Sequence, residues 1–537
     1  MATKNTPAKK IPAKKAPAKK AVKNASKKTA PPTGRLIPSA GSVTVRMYRI
    51  GHGDCFLLAF PPAHPSTKPI YVLIDCGYKP GSPDHIDKKD NKSVTDITAN
   101  IREATGGHIN IAVITHEHQD HVNGISENNF EGITIGEVWF AWTEDPVDEI
   151  ANGLRKQFKD RLLGLLDART KLAAAGDVDV LNRINQLLPF ELGGEDETFT
   201  PSSILGMMGA DGKPDPSKSK NKISMKVFKD KAEKGIKYIR PHEKILSIPG
   251  AKDVRVFAMG PPRNLDLLKT LDPKGGEEFH MASSDASFFA AAASVDNSQG
   301  SPSPFASRFR INKPSAGVPY ELGSIFEKHY GSLPPMPGDF DRAPDDAEWR
   351  RIDNDWLLSA ETLALAMSDQ TNNASLVLAF ELEPGGKVLL FVGDAQRGNW
   401  LSWSGKDWKD GANRITAKDL LARTVLYKVG HHGSHNATLN GLDADDYPNL
   451  SWMGQSSEHA REFTAMITAV RPWAETQNGW DHPLKAIKDA LLAKCGNRVF
   501  QTDTHVENMP KGSGKEWQSF EKRRSGNRLY FDYTVEI

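Results

Sequence analysis

Three cysteines in 537 residues, Cys55, Cys76 and Cys495, are too few and too scattered for a disulfide framework, and they lack the paired spacing of a structural zinc site. A reducing compartment is favoured, and the cytoplasm is the expected location. Long apolar runs are missing as well. The best of them, SFFAAAASV at 287–295, is about half of the ~18–20 residues that span a bilayer. No membrane partner is therefore expected, and because no apolar core follows the basic N-terminus, export by a signal peptide has no support. Acid is absent from residues 1–34, which hold ten lysines. With a formal charge of +2 for the whole chain, the remainder carries −8.

That first stretch is built from PAKK-like Lys/Ala/Pro repeats with almost nothing to bury, so residues 1–40 read as a disordered tail. Such a polycation can hold DNA or RNA by phosphate neutralisation without sequence preference; a solvated extension with no partner is the equal alternative. Residues 41–537 read as one folded domain with insertions.

What the chain does have is a series of strands that each stop at polar residues. SVTVRMYRIGHGDCFLLAF (42–60) reads as strand, glycine turn and strand, and IYVLIDCG (70–77) as a third strand closed by an acid. SVTDITANIREA (93–104) puts Val94, Ile97 and Ile101 on one helical face. A strand then runs into THEHQDH, and IGEVWFAW (135–142) is another. Two insertions are expected, at about 145–240 and about 265–365. The first begins with amphipathic helix (Leu154, Phe158, Leu162, Leu165) and turns to a lysine-rich loop over 210–240; the second ends in a helix before residue 370. Beyond them, ASLVLAFELEPGGKVLLFVGDA (374–395) is a hairpin, TVLYKVGHHGSHNAT (424–438) a strand stopped by histidines, and Pro483 suits the first turn of a helix after His482. The order of elements points to a mixed α/β (α+β) sheet architecture.

The residues 116–121 carry the chemistry. In an extended segment positions i and i+2 point the same way, so His116 and His118 can reach one metal ion while Asp120 and His121 reach a second. Asp394 can bridge the two, and His432 and His482 can complete one shell each. An acid after glycine is ordinarily a turn residue and a lone histidine ordinarily a surface one, but three histidines and an acid within six residues crowd charge without gain unless a cation is bound. Imidazole and carboxylate together suit two zinc ions; manganese or iron also fits.

THEHQDH resembles the central motif of the metallo-β-lactamase superfamily. RIGHGDCFLL, YVLIDCG, NNASLVLAFEL, LLFVGDA, YKVGHHGSHNA, DHPLKAI and RVFQTDT are similar, in that order, to the hydrolase domain of ComEC-type DNA-uptake proteins and their soluble relatives. The resemblance implies a four-layer αββα sandwich with a binuclear metal site at one edge. It assigns His116, His118 and His432 to one ion and Asp120, His121 and His482 to the other, with Asp394 between them and Asp75 supporting the site from behind the ligands. In HHGSH the ligand is His432 or its neighbour His431. The implied mechanism uses a hydroxide shared by the ions and oriented by Asp120, with His435 either protonating the leaving group or making a loop hydrogen bond. Phosphodiester hydrolysis, of nucleic acid among other substrates, is the first expectation. Hydrolysis of a small ester, lactone, thioester or phosphocholine-type substrate is the alternative, and a DNA-tethered protein with a vestigial site is the third reading.

Overall fold

In the computed structural model, residues 34–537 are described apart from 64–65, 67, 83–93, 176–177, 195–198, 211, 242, 280–358, 443, 478–479 and 505–507. The lysine-rich tail and most of the second insertion lie outside the described residues.

The strands, in chain order, are β1 (Ser42–Tyr48), β2 (Phe56–Phe60), β3 (Ile70–Ile74), β4 (His108–Ile114), β5 (Thr134–Ala141), β6 (Ile236–Ile239), β7 (Leu246–Ser247), β8 (Arg255–Gly260), β9 (Val377–Glu381), β10 (Val388–Phe391), β11 (Asp407–Asp410), β12 (Asn413–Thr416), β13 (Thr424–Lys428), β14 (Thr464–Ile467), β15 (Val499–Gln501), β16 (Arg524–Gly526) and β17 (Tyr530–Glu536). They form an eight-stranded sheet ordered β16-β17-β1-β2-β3-β4-β5-β6, a seven-stranded sheet ordered β15-β14-β13-β10-β9-β8-β7, and a two-stranded sheet of β11 and β12. The two large sheets are mixed. β1, β2 and β3 pair antiparallel and β3, β4, β5 and β6 parallel; in the second sheet β8, β9 and β10 are antiparallel and β10, β13, β14 and β15 parallel.

Alternation along the strands decides how the sheets meet. Val43, Val45 and Met47 of β1 and Phe56 and Leu58 of β2 share one core with Val256, Leu378, Phe380, Leu389 and Phe391 of the second sheet, so the two sheets face each other. The opposite faces are covered by helices. Ile97, Ile101 and Ala104 of α1 (Val94–Thr105) pack on the outside of the first sheet, and Ile487 and Leu491 belong to the core on the outside of the second. The strand ends that carry Asp75, His116 and Asp394 come together along one rim of the two sheets, where the short helix α2 (Gln119–Val122) follows β4.

The first insertion is more ordered than its composition suggests. α3 (Glu149–Ala175) and α4 (Val178–Leu192) pack together through Leu162, Leu166, Ile184 and Leu188. The expected loop over 210–240 is instead α5 (Lys220–Lys231) followed by β6: Met225, Val227 and Phe228 bury against the first sheet, while the lysines that mask this pattern in sequence point outward or pair with acids. α6 (Ser359–Asn373), the described end of the second insertion, packs Ala360, Ala364 and Met367 on the same helical cluster. A second correction concerns Pro483, whose helix starts only at Lys485; the His482–Pro483 peptide is cis. Among the described residues no helix is long and apolar enough to cross a membrane.

Candidate metal centre

β4 delivers His116 to the rim and the one-turn helix α2 folds Asp120 and His121 back under it. This return needs a close approach: a Cβ on Gly77 would lie 2.3 Å from the His121 carbonyl carbon, so only glycine fits there. The His121 carbonyl accepts from Cys76 N at 2.9 Å, and the Asp120 carbonyl from Asp54 N at 3.0 Å, which ties the motif to the β1–β2 and β3 loops.

Asp120, His121, Asp394 and His432, all buried, each offer a ligand atom within 4.8 Å of the others. His432 Nε2 is 3.0 Å from Asp120 Oδ2 and 3.6 Å from Asp394 Oδ2, and His121 Nε2 is 3.1 Å from the same Asp394 oxygen. Asp120 Oδ1, His121 Nε2 and Asp394 Oδ2 are buried without a hydrogen-bond partner. Buried polar atoms normally have partners, and unsatisfied imidazole and carboxylate atoms that converge are what a divalent cation would satisfy. The donor set fits.

The outward nitrogens of His121 and His432 are both held. His121 Nδ1 meets Asp75 Oδ2 at 2.8 Å, and Asp75 in turn accepts from Thr115 N at 2.8 Å and Thr115 Oγ1 at 2.6 Å. Asp75 adopts φ 53, an uncommon conformation for a non-glycine residue and one that aims its carboxylate back at β4. His432 Nδ1 lies 3.0 Å from the Thr468 carbonyl oxygen, and Thr468 Oγ1 donates to Asp54 at 2.6 Å. His431 and His432 both sit in the left-handed region, φ 42 and 55, which turns the second of them into the cluster. His431 instead contacts Asn372 Nδ2 at 3.2 Å and approaches Asp394 only to 4.0 Å.

A buried ammonium completes the charge pattern. Lys428 Nζ pairs with Asp54, donates to the Gly393 carbonyl at 2.9 Å and lies 3.4 Å from Asp394 Oδ1. Burial opposes every charge here, yet the neighbouring histidines and Lys428 hold Asp394 well below the usual carboxylate range, and His432 and His121 do the same for Asp120. His121 is raised by Asp394, Asp54 and Asp75 against its own desolvation. Burial pushes His116, His52 and His482 down, as does their crowding by other imidazoles.

The remaining expected ligands stand apart from this foursome. His116 packs its ring 4.1 Å from that of His121, with Nδ1 at 3.1 Å from Thr115 Oγ1 and Nε2 unpartnered. The His118 ring lies 4.7 Å from that of His116, with its Nε2 2.8 Å from Glu191 Oε1 of α4. Neither joins a group of three or more donors among the described residues. His432, which the resemblance grouped with His116 and His118, groups with Asp120 and His121. His482 lies 6.4 Å from His432, ring to ring, stacked on Trp480 and His52. His435 is 40% exposed at the cavity wall, 3.5 Å from Asp272.

A cavity of about 370 Å³ opens over Asp120, His432 and His482. Arg183, Leu187 and Phe190 of α4 and Leu365, Asp369 and Asn372 of α6 form part of its wall, so both insertions shape the site. Phe190, Trp473 and Trp480 give it aromatic faces, and Lys79 stacks its ammonium 3.5 Å from the Phe190 ring centre. Asp54, Glu191, Lys428 and Thr468 were not singled out in the sequence. Asp54 sits inside the GHGD segment, where an acid after glycine reads as a turn; the other three carry no local signal.

No family model matches the chain, and no curated protein matches it either. The functional reading rests on geometry and chemistry.

Proposed function

We propose that this chain is a metal-dependent hydrolase of the metallo-β-lactamase type that acts on phosphodiesters, nucleic acid among them. The observation that carries this reading is the convergence of four buried donors, three with unsatisfied atoms, beneath an open cavity. Zinc, manganese or iron bound there supplies Lewis acidity and water activated at neutral pH.

The chain's own residues supply the rest. Asp75 accepts a hydrogen bond from His121 Nδ1–H and so leaves the Nε2 lone pair on the Asp394 side. Thr468 O fixes His432 in the same sense. Lys428 neutralises the far oxygen of Asp394 and anchors its loop through Gly393. Lys79 and Arg183 bring positive charge to a cavity that must hold an anion, and Trp473 and Trp480 offer flat faces on which a base can stack. His435, beside Asp272 at the cavity wall, is within the part of the site where a leaving group would exit.

A second reading has one observation in its favour. A neighbouring cavity of about 260 Å³ reaches His116 and is lined by Phe158, Leu162, Met225 and Leu268, which suits an apolar acyl group of a small ester. Metal analysis of purified protein, followed by parallel turnover of a chromogenic phosphodiester, single-stranded DNA, RNA and a chromogenic ester, tests both. Protein without metal after metal-supplemented expression sinks the hydrolase reading and leaves the tethering one; ester turnover without diester turnover selects the acyl reading.

A further inference from the structure

The end of α6 is tied down residue by residue. Gln370 Oε1 accepts from Arg161 at 2.7 Å, Thr371 Oγ1 donates to Glu191 at 3.3 Å, Asn372 Nδ2 meets His431 Nε2 at 3.2 Å, and Asn373 Nδ2 donates to the Leu267 and Leu268 carbonyls at 2.9 Å. Asp369 stands immediately before this run. It shares a helical face with Asn372, three positions on, and Asn372 touches a histidine that is itself 4.0 Å from Asp394. Asp369 lines the cavity over Asp120 and His432. Its Oδ1 accepts from Gln396 Nε2 at 2.7 Å, and Gln396, fully buried, is two residues from Asp394. Among the described residues that is the one hydrogen bond Asp369 makes, so Oδ2 is left for an occupant of the cavity.

From this we infer that Asp369, supplied by the second insertion, is the proton donor to the leaving oxygen of the diester, and that Gln396 positions it. The inference rests on the phosphodiesterase reading above and deepens it. An oxygen of water forms the new bond to phosphorus as the bond from phosphorus to the leaving oxygen breaks. That oxygen takes the Asp369 proton and departs as an alcohol; the proton given up by the water goes to solvent, from which Asp369 is protonated again. The surroundings keep a proton available. Burial and the Asp272 carboxylate favour the neutral acid, against Gln396, His435 and His118, and hold it at about 6. Arg183 of α4 and Lys79 line the same cavity and offer charge to the phosphate. His435 is on that wall too, but it is 40% exposed and 3.5 Å from Asp272, where water can take its place.

The test compares two diesters on metal-loaded full-length protein: a dinucleotide, whose leaving alkoxide needs a proton, and bis(p-nitrophenyl) phosphate, whose leaving phenolate needs one far less. For the dinucleotide, wild-type kcat/KM should fall as pH rises past about 6. Asp369→Asn should remove that limb and lower dinucleotide kcat by about 100-fold or more, with a smaller loss on the p-nitrophenyl ester. Asp369→Glu, which keeps an acid, should restore part of the dinucleotide rate together with a limb. Gln396→Ala should move the limb to higher pH, because its amide favours the ionised carboxylate. A wild-type profile without the limb, which needs no variant to measure, overturns the inference; so does an Asp369→Asn protein slowed equally on both diesters, or a limb that vanishes in His435→Asn instead. Each of these leaves the hydrolase reading intact. Metal-loaded protein that turns over neither diester overturns both.

Discussion

Asp75 Oδ2 and His121 Nδ1 are 2.8 Å apart with both side chains fully buried, and this one contact sets which nitrogen of the central histidine faces the other donors. Asp75 also terminates the hydrogen bonds of Thr115, so it joins the end of β3 to the end of β4 at the point where the metal motif begins.

Asp75→Ala should therefore weaken metal binding at the foursome by about 10–100-fold, the usual cost of removing an outer partner of a metal-binding histidine. Zn2+ competition measures the first effect. Thermal unfolding of the metal-free protein should show a loss of about 1–3 kcal/mol, because Thr115 N–H is left buried and unpaired.

Asp394→Ala removes a carboxylate that lies near His121, His432 and Lys428 at once. Bound metal should fall to near zero and diester turnover with it, while the chain stays soluble, since β10 and its hairpin partner are held by apolar packing. Elemental analysis of the purified variant checks this, and full metal content would show that the foursome is not the site.

Lys428→Met fills much of the same volume but leaves Asp54 and Asp394 buried with no ammonium between them. Breaking a buried pair from one side costs about 3–5 kcal/mol. Urea unfolding of the metal-free variant should show a loss of that order; a loss under about 1 kcal/mol would mean the ammonium is not stabilising these carboxylates.

Asp369, on α6 at the cavity wall, is pushed up to about 6 by burial and by Asp272, although Gln396 donates to it at 2.7 Å and His435 and His118 pull the other way. A carboxyl whose folded value is raised binds its proton more tightly than in the unfolded chain, so its contribution is favourable at low pH and is lost as pH rises between about 4 and about 6. Asp369→Asn keeps the acceptor for Gln396 and cannot ionise. Its stability relative to wild type should rise between pH 4.5 and 7 in urea titrations; a constant difference would place the titration elsewhere.

Deletion of residues 1–34 removes ten lysines. Binding to nucleic acid should weaken and its dependence on salt flatten, because each phosphate contact adds to the slope of log K against log salt. Turnover of a small diester should be unchanged. Equal slopes with and without the segment would mark it as a solvated extension.

How much of this was legible in the sequence follows from the range of each signal. His116, Asp120 and His121 sit within six residues, and Asp394 and His432 each end an apolar strand, so spacing and strand ends pointed to all of them. Which imidazole meets which carboxylate was not legible. His432 joined Asp120 rather than His118 because two left-handed residues turn it there, a backbone choice with no signature beyond the flanking glycines. The carboxylate that meets His118 Nε2 was not legible either, because it lies 73 residues away in an insertion without a recognisable motif. α5 was hidden because its lysines outweigh its three buried apolar residues in any average over the segment, although Met225 and Phe228 are at helical spacing.

The three consecutive contacts from Glu117, His118 and Gln119 to α5, α4 and the Gly194 carbonyl bear on how the molecule can be taken apart. An engineer seeking a minimal catalytic fragment would cut at the ends of the insertion and would remove β6 from the edge of the first sheet as well. The excised piece would carry a naked carboxylate, imidazole and amide on the very turn that shapes the metal ligands, and water would compete for all three. Grafting the region onto another chain meets the same difficulty in reverse, because Lys222 and Glu191 then need a turn that offers them a carboxylate and an imidazole. The insertion and the motif have to be exchanged as a unit.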